Sequence, residues 1–200
     1  TYLEQHPQVF GSSKKEVHYF DHFHLNGELW YRSHFPLVAS IRKNGGVTGE
    51  ASPFYLFHPK CAQRIHERLP AVKLIAVLRN PVDRAISHYF MQVRKGHETL
   101  PIGEAMRQEE RRLAHEMERA EVEPHHSSYS LGHYSYKSRG MYVDQLARYS
   151  ALFPRDQLLV LKAEDLFMDT GASLREVYGF LGIDQEYRPK YLHPRNVGGY

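Results

Sequence analysis

Apolar positions in this chain come in short runs separated by helical spacings. The clearest lies at residues 72–78, where Leu74, Ile75, Ala76, Val77 and Leu78 follow without a polar break. Such a run predicts a buried parallel strand. It stops at Arg79. Asn80 then offers an N-cap and Pro81 a first helical residue. The pattern beyond predicts a helix over 82–95, with Ser87 about two turns in. Upstream, residues 59–69 predict a helix with Ala62, Ile65 and Leu69 on one face. Downstream, residues 157–161 predict a second buried strand, 164–167 a short helical turn, and 174–181 a helix closed by Gly182.

Other segments are read from weaker patterns. Residues 2–5 look like the tail of a helix, and Val9 with Phe10 like a short strand. Residues 14–21 alternate polar and apolar over 16–19, as a strand or extended edge would. Residues 29–35 predict a short helix halted by Pro36. Gly45-Gly46 is a turn, and 47–50 a short strand. Residues 101–119 predict one helix with a charged exposed face. Residues 121–138 read as a long loop, and 187–200 as irregular. Residues 141–152 predict an amphipathic helix through Val143, Leu146, Ala147 and Leu152. Helices alternating with short buried strands imply a single α/β domain over residues 1–200, three-layered, with a mainly parallel sheet. The few strands suggest that part of the domain is missing.

Composition narrows the class. The 200 residues are 42% hydrophobic and 24% charged, the balance of a soluble globular domain. A net charge of +3 is too low for a nucleic-acid binder. No apolar run is long enough to span a membrane, and no signal peptide is recognisable. The lone Cys61 excludes an internal disulfide and reads as a small buried hydrophobe. His18, Asp21, His22 and His24 sit close in sequence, with His125-His126 further on. Their types suit a transition metal, but the spacing matches no closed site.

An arginine at the carboxyl end of a buried strand, beside a helix start, is where open α/β sheets bind anions. Arg79 supplies a planar fork of donors suited to phosphate. Ser87 can donate to the same oxygens, and the helix start adds a favourable dipole. An Arg79–Asp83 pair with a back-bonded Ser87 is the structural alternative.

The segment L-R-N-P-V-D-R-A-I-S-H-Y (residues 78–89) resembles the 3′-phosphate-binding element of sulfotransferases, which use 3′-phosphoadenosine 5′-phosphosulfate (PAPS). K-K-E-V-H-Y-F-D (14–21) is similar to a segment of the glycan, heparan-sulfate-type sulfotransferases and their bacterial relatives. Further agreement comes from G-E-A-S-P-F-Y (49–55), R-G-M-Y-V-D-Q-L (139–146) and F-P-R-D-Q-L-L-V-L-K-A-E-D-L (153–166). The resemblance implies a P-loop-NTPase-like α/β fold, PAPS as donor and 3′,5′-adenosine bisphosphate as product. It implies Arg79 and Ser87 on the 3′-phosphate and Glu16 as catalytic base. His18, Asp21 and Arg139 fall among the acceptor-binding residues. The implied acceptor is a glycan, lipid or small-molecule hydroxyl or amine. No metal is called for, because Lys and Arg can supply the charge.

Two departures qualify the resemblance. The family's 5′-phosphosulfate loop and its final helix have no counterpart here. On that reading the chain is the middle of a sulfotransferase domain, and alone it is expected to transfer no sulfate. Ala51 stands where some glycan sulfotransferases carry a lysine that contacts an acidic acceptor. A degenerate nucleotide-binding module that kept the 3′-phosphate site is the competing function. A kinase would need a Gly-Lys-Ser/Thr loop, which the sequence lacks. Residues 119–138 are a candidate lid over the acceptor. The single cysteine and absent anchor point to a bacterial cytoplasmic protein, whereas a eukaryotic one would belong in the Golgi lumen.

Overall fold

The computed structural model describes residues 2–123 and 126–192. Two parallel strand pairs are set among eleven helices in the described residues. The first half contains β1 (Val9–Gly11), α1 (Glu28–Arg32), α2 (Val38–Lys43), β2 (Val47–Gly49), α3 (Phe54–Phe57) and α4 (Cys61–Arg68). Next come β3 (Leu74–Leu78), α5 (Pro81–Arg94), α6 (Ile102–Leu113), α7 (Glu116–Val122) and α8 (Tyr129–His133). The chain continues through α9 (Tyr142–Ser150), β4 (Leu158–Lys162), α10 (Ala163–Met168) and α11 (Thr170–Leu181).

β3 and β4 pair in parallel, with Leu74 opposite Leu158 and Leu78 opposite Lys162. β1 and β2 form the second pair, with Val9 opposite Val47. The α/β class and the parallel pairing match the sequence reading. The strands are less buried than their composition predicts. Val77 is 49% exposed and Val160 43%. In a two-stranded pair each strand has an open edge, and an uninterrupted apolar run does not require both faces to be covered.

The predicted start of α5 and stop of α11 are observed where local chemistry dictates them, whereas α11 starts at Thr170 rather than at 174. The Asn80 side chain accepts from the Val82 and Asp83 amides, and Pro81 opens α5. Asp169 caps α11, and Gly182 closes it at φ 79°, a left-handed conformation suited to glycine. Cys61 is fully buried on α4 beside Ala62 and Ile65, as expected.

Three expectations are corrected. Residues 14–21 form no strand. Glu16 and His18 are left-handed, with φ of 67° and 56°. Val17, Tyr19 and Phe20 pack into a core with Cys61, Ala62, Ile65, Tyr149 and Phe153. Left-handed residues between ordinary ones send alternate side chains in and out, so the sequence carries a strand-like period without a strand.

Residues 101–138 are not one helix followed by a loop. The first helix breaks at His115, at φ 63°, and residues 121–138 contain the end of α7 and all of α8. Leu131, Ser135 and Tyr136 are almost fully buried. Glu98 holds this region: it accepts from the Tyr136 hydroxyl and pairs with Arg112. Glu109 accepts from the Lys137 and Ser138 amides. These anchors are far apart in sequence, which is why the local pattern missed them.

On α9 the buried face is Gln145 and Tyr149, while Val143 is 75% exposed. Gln145 is buried because its amide donates to the carbonyls of Ser138, Arg139 and Met141, closing the turn before the helix. Of the irregular segment 187–200, residues 193–200 lie outside the described residues, as does His125.

Candidate active site

The loop at residues 14–21 brings Glu16, His18 and Asp21 into one chain of contacts. His18 Nδ1 lies 2.8 Å from Asp21 Oδ2, and His18 Nε2 lies 3.2 Å from Glu16 Oε2. The imidazole therefore bridges two carboxylates. The Asp21 side chain is fully buried, while that of Glu16 is 42% exposed. The chain of contacts thus runs from the interior to solvent.

The electrostatics follow from this geometry. The hydrogen bond to Asp21 raises the His18 pKa above its ordinary 6.5; burial opposes that shift, and Coulomb attraction to Asp21 and Glu16 reinforces it. Burial pushes the Asp21 carboxyl up, but the His18 hydrogen bond and the charges of His22 and His18 outweigh it. The net shift is below 3.8. Desolvation holds His22 below its ordinary value. The His22 ring stacks on Phe54 at 5.7 Å, and its amide donates to Asp21 Oδ1. His18, Asp21 and His22, three of the four residues grouped in the sequence as suited to a transition metal, each offer one ligand atom within 4.8 Å of the others. His126 belongs elsewhere, paired with Glu116.

The second part of the site is the turn from β3 into α5. Arg79 directly follows β3 and lines a hollow of about 280 Å³ with Asp83, Ile86 and Phe90. The Asn80 amide donates to Glu164 on α10, and the Tyr142 hydroxyl donates to the Arg79 carbonyl. Gly140 fits tightly here: a Cβ at that position would lie 2.9 Å from Pro81 Cβ. The 139–146 segment thus buttresses the Arg79 turn. No Arg79–Asp83 ion pair is present among the described residues, and Ser87 is half-buried on α5. A guanidinium at a strand end, facing a hollow beside a capped helix start, fits a phosphate group.

Arg139 faces protein. Its guanidinium donates to the Leu131 and Gly132 carbonyls and lies over the Phe54 and Phe57 rings, 4.6 and 5.4 Å from their centroids. Burial pulls its pKa below the usual arginine value. Arg139 and His22 both pack on Phe54, which couples the position of α8 to the Glu16 loop.

Sequence reasoning passed over Glu50, Ser52, Tyr55 and Arg64. Arg64 donates to the Phe20 and Asp21 carbonyls. Glu50, Ser52 and Tyr55 hold the amides of the same loop. Their signal was present in the G-E-A-S-P-F-Y segment, where polar residues precede an aromatic run.

With this geometry in view, similarity to known proteins defines the class. A family model described as "Sulfotransferase domain" matches residues 60–194, more than half of the chain. The chain belongs to this sulfotransferase family. It is 31% identical over 199 residues to heparan sulfate glucosamine 3-O-sulfotransferase 6 of Homo sapiens, covering 100% of this chain and 52% of that protein. It is 42% identical over 92 residues to membrane-associated sulfotransferase kil1 of Dictyostelium discoideum, covering 46% of this chain and 19% of that protein. The crystal structure of a sulfotransferase from Alicyclobacillus acidocaldarius superposes with a TM-score of 0.77 at 31% identity. That match covers 98% of this chain and 79% of the other. The chain thus spans about half the length of the human relative. No helix among the described residues is long and apolar enough to cross a membrane.

Proposed function

We propose that this chain provides the base and the 3′-phosphate site of a sulfotransferase that uses PAPS to sulfate a glycan hydroxyl. The observation that carries the reading is the Glu16–His18–Asp21 chain of contacts at the edge of the core. When bound, PAPS supplies the activated sulfuryl group, and sulfuryl transfer asks of the protein mainly in-line positioning and charge stabilisation. Protonated His18 donates to Glu16 Oε2 and orients that carboxylate. Oε1 is left to take the proton of the attacking hydroxyl. Asp21, buried behind His18, fixes the ring and its charge. Arg79, with Ser87 two turns into α5, holds the 3′-phosphate, and Arg139 positions the acceptor side through Phe54.

The glycan acceptor is inferred from relatives named for heparan sulfate glucosamine. Ala51 is exposed and carries no charge, so the acceptor preferred here is less anionic than one gripped by a lysine at that position.

Two substitutions in the full-length protein test the reading. Glu16→Gln should abolish turnover while leaving affinity for 3′,5′-adenosine bisphosphate unchanged. Arg79→Ala should weaken that affinity by about 10- to 100-fold, the loss of a charge-assisted hydrogen bond. Calorimetric titration and a radiolabelled-sulfate transfer assay read the two effects. Wild-type turnover in Glu16→Gln would remove Glu16 from the mechanism.

A further inference from the structure

Glu16 and His18 occupy left-handed backbone, which costs roughly 1–3 kcal/mol for each residue with a side chain. Such strain persists only where the surroundings over-determine it. Here they do so through four consecutive amides. The Val17 amide donates to Glu50 Oε2 at 3.2 Å. The His18 amide donates to Ser52 Oγ at 3.1 Å, and that hydroxyl donates to Glu50 Oε2 at 2.6 Å. The Tyr19 and Phe20 amides donate to the Tyr55 hydroxyl at 2.7 and 3.3 Å, and that hydroxyl donates to Glu50 Oε1 at 2.7 Å. Every donor converges on one carboxylate.

We infer that Glu50 is a positioning residue for the transfer site. Its carboxylate, acting directly and through Ser52 and Tyr55, fixes the backbone that turns Glu16 and His18 out of the core. The role rests on the reading of Glu16 as base. Glu50 itself is no competitor for that role. Both its oxygens are already acceptors, and its partners are backbone amides and hydroxyls. Burial and the Glu50 charge push the Tyr55 phenol pKa up, so the hydroxyl stays protonated and keeps donating. A neutral glutamine could accept on only one of its two terminal atoms, so the convergence would break.

The test uses the full-length protein and two independent readouts. Glu50→Gln should lower kcat by about 10- to 100-fold, the effect of misplacing a catalytic group by about an ångström. Affinity for 3′,5′-adenosine bisphosphate should not change. In the same variant, hydrogen exchange at the Val17–Phe20 amides should accelerate, and the His18 imidazole, followed by NMR, should titrate closer to 6.5. Ser52→Ala should reproduce the kcat loss, and Ser52→Thr, which keeps the hydroxyl, should restore activity. That pair also carries the test should Glu50→Gln fail to fold. Wild-type kcat and exchange rates in Glu50→Gln would overturn the inference, as would equal activity of Ser52→Ala and Ser52→Thr. If Glu16→Gln retains turnover, the assignment of the base fails. The exchange and titration measurements then still decide whether Glu50 holds the loop.

Discussion

At the scale of single residues, His18 is the most informative group in the molecule. It lies between two carboxylates, one buried and one open to solvent. Its folded pKa is raised above 6.5, so its stabilising contribution is complete below that value and is lost as pH rises through the higher folded pKa. Asp21 works in the opposite direction. Its folded pKa is depressed, so its contribution is present above 3.8 and is lost as pH falls through the lower folded value. The pair therefore supports the loop most strongly between these two limits. The thermal midpoint of the wild type, compared with His18→Asn, should show its largest advantage near pH 6. That advantage should shrink toward alkaline pH. A pH-independent difference would mean that His18 contributes packing rather than charge. The residue types of this trio were legible in the sequence. Their mutual contacts were not, because the alternating pattern of residues 14–21 reads as a strand when two left-handed residues produce the same alternation.

At the scale of elements, the β3–α5 unit was the most legible part of the chain. An unbroken apolar run, an asparagine cap and a proline at the first helical position all act locally, so sequence alone specifies them. The buttress on that unit acts over a distance, and the sequence did not disclose it. Gly140 packs against Pro81 from 59 residues away, and Tyr142 holds the Arg79 carbonyl. Gly140→Ala would place a methyl group 2.9 Å from Pro81 Cβ. The turn must then shift, at a cost of roughly 1–3 kcal/mol for overpacking. The expected result is a folded protein whose affinity for 3′,5′-adenosine bisphosphate drops by about tenfold, measured by calorimetry. Unchanged affinity would separate Gly140 from the placement of Arg79. The α6–α8 region shows the opposite balance. Its helices are locally ordinary, and their break and burial depend on Glu98 and Glu109 reaching across to residues 136–138.

At the scale of the whole molecule, the two halves of the site are held by different kinds of contact. The Arg79 turn takes its cap and helix start from its own segment, and Gly140, Tyr142 and Glu164 buttress it. The Glu16 loop is held by Glu50, Ser52 and Tyr55, separated from it by 33–36 residues, and by Arg64, 43–44 residues away. Tyr55 in turn is tied to Tyr149, 94 residues distant. This arrangement has a kinetic consequence. Contacts of such sequence separation are expected to close after α3, α4 and α9 have docked, which would make the Glu16 loop form late on the folding path. Ser52→Ala leaves the His18 amide without its acceptor, a loss of roughly 1–3 kcal/mol. That loss should appear almost wholly as faster unfolding, by about tenfold, with the refolding rate unchanged. Stopped-flow measurement of both limbs would check it, and a slower refolding limb would place the loop in the folding nucleus instead. On that expectation the Glu16 loop, closing last, is also the first to open, and it can come and go while the Arg79 turn stays folded.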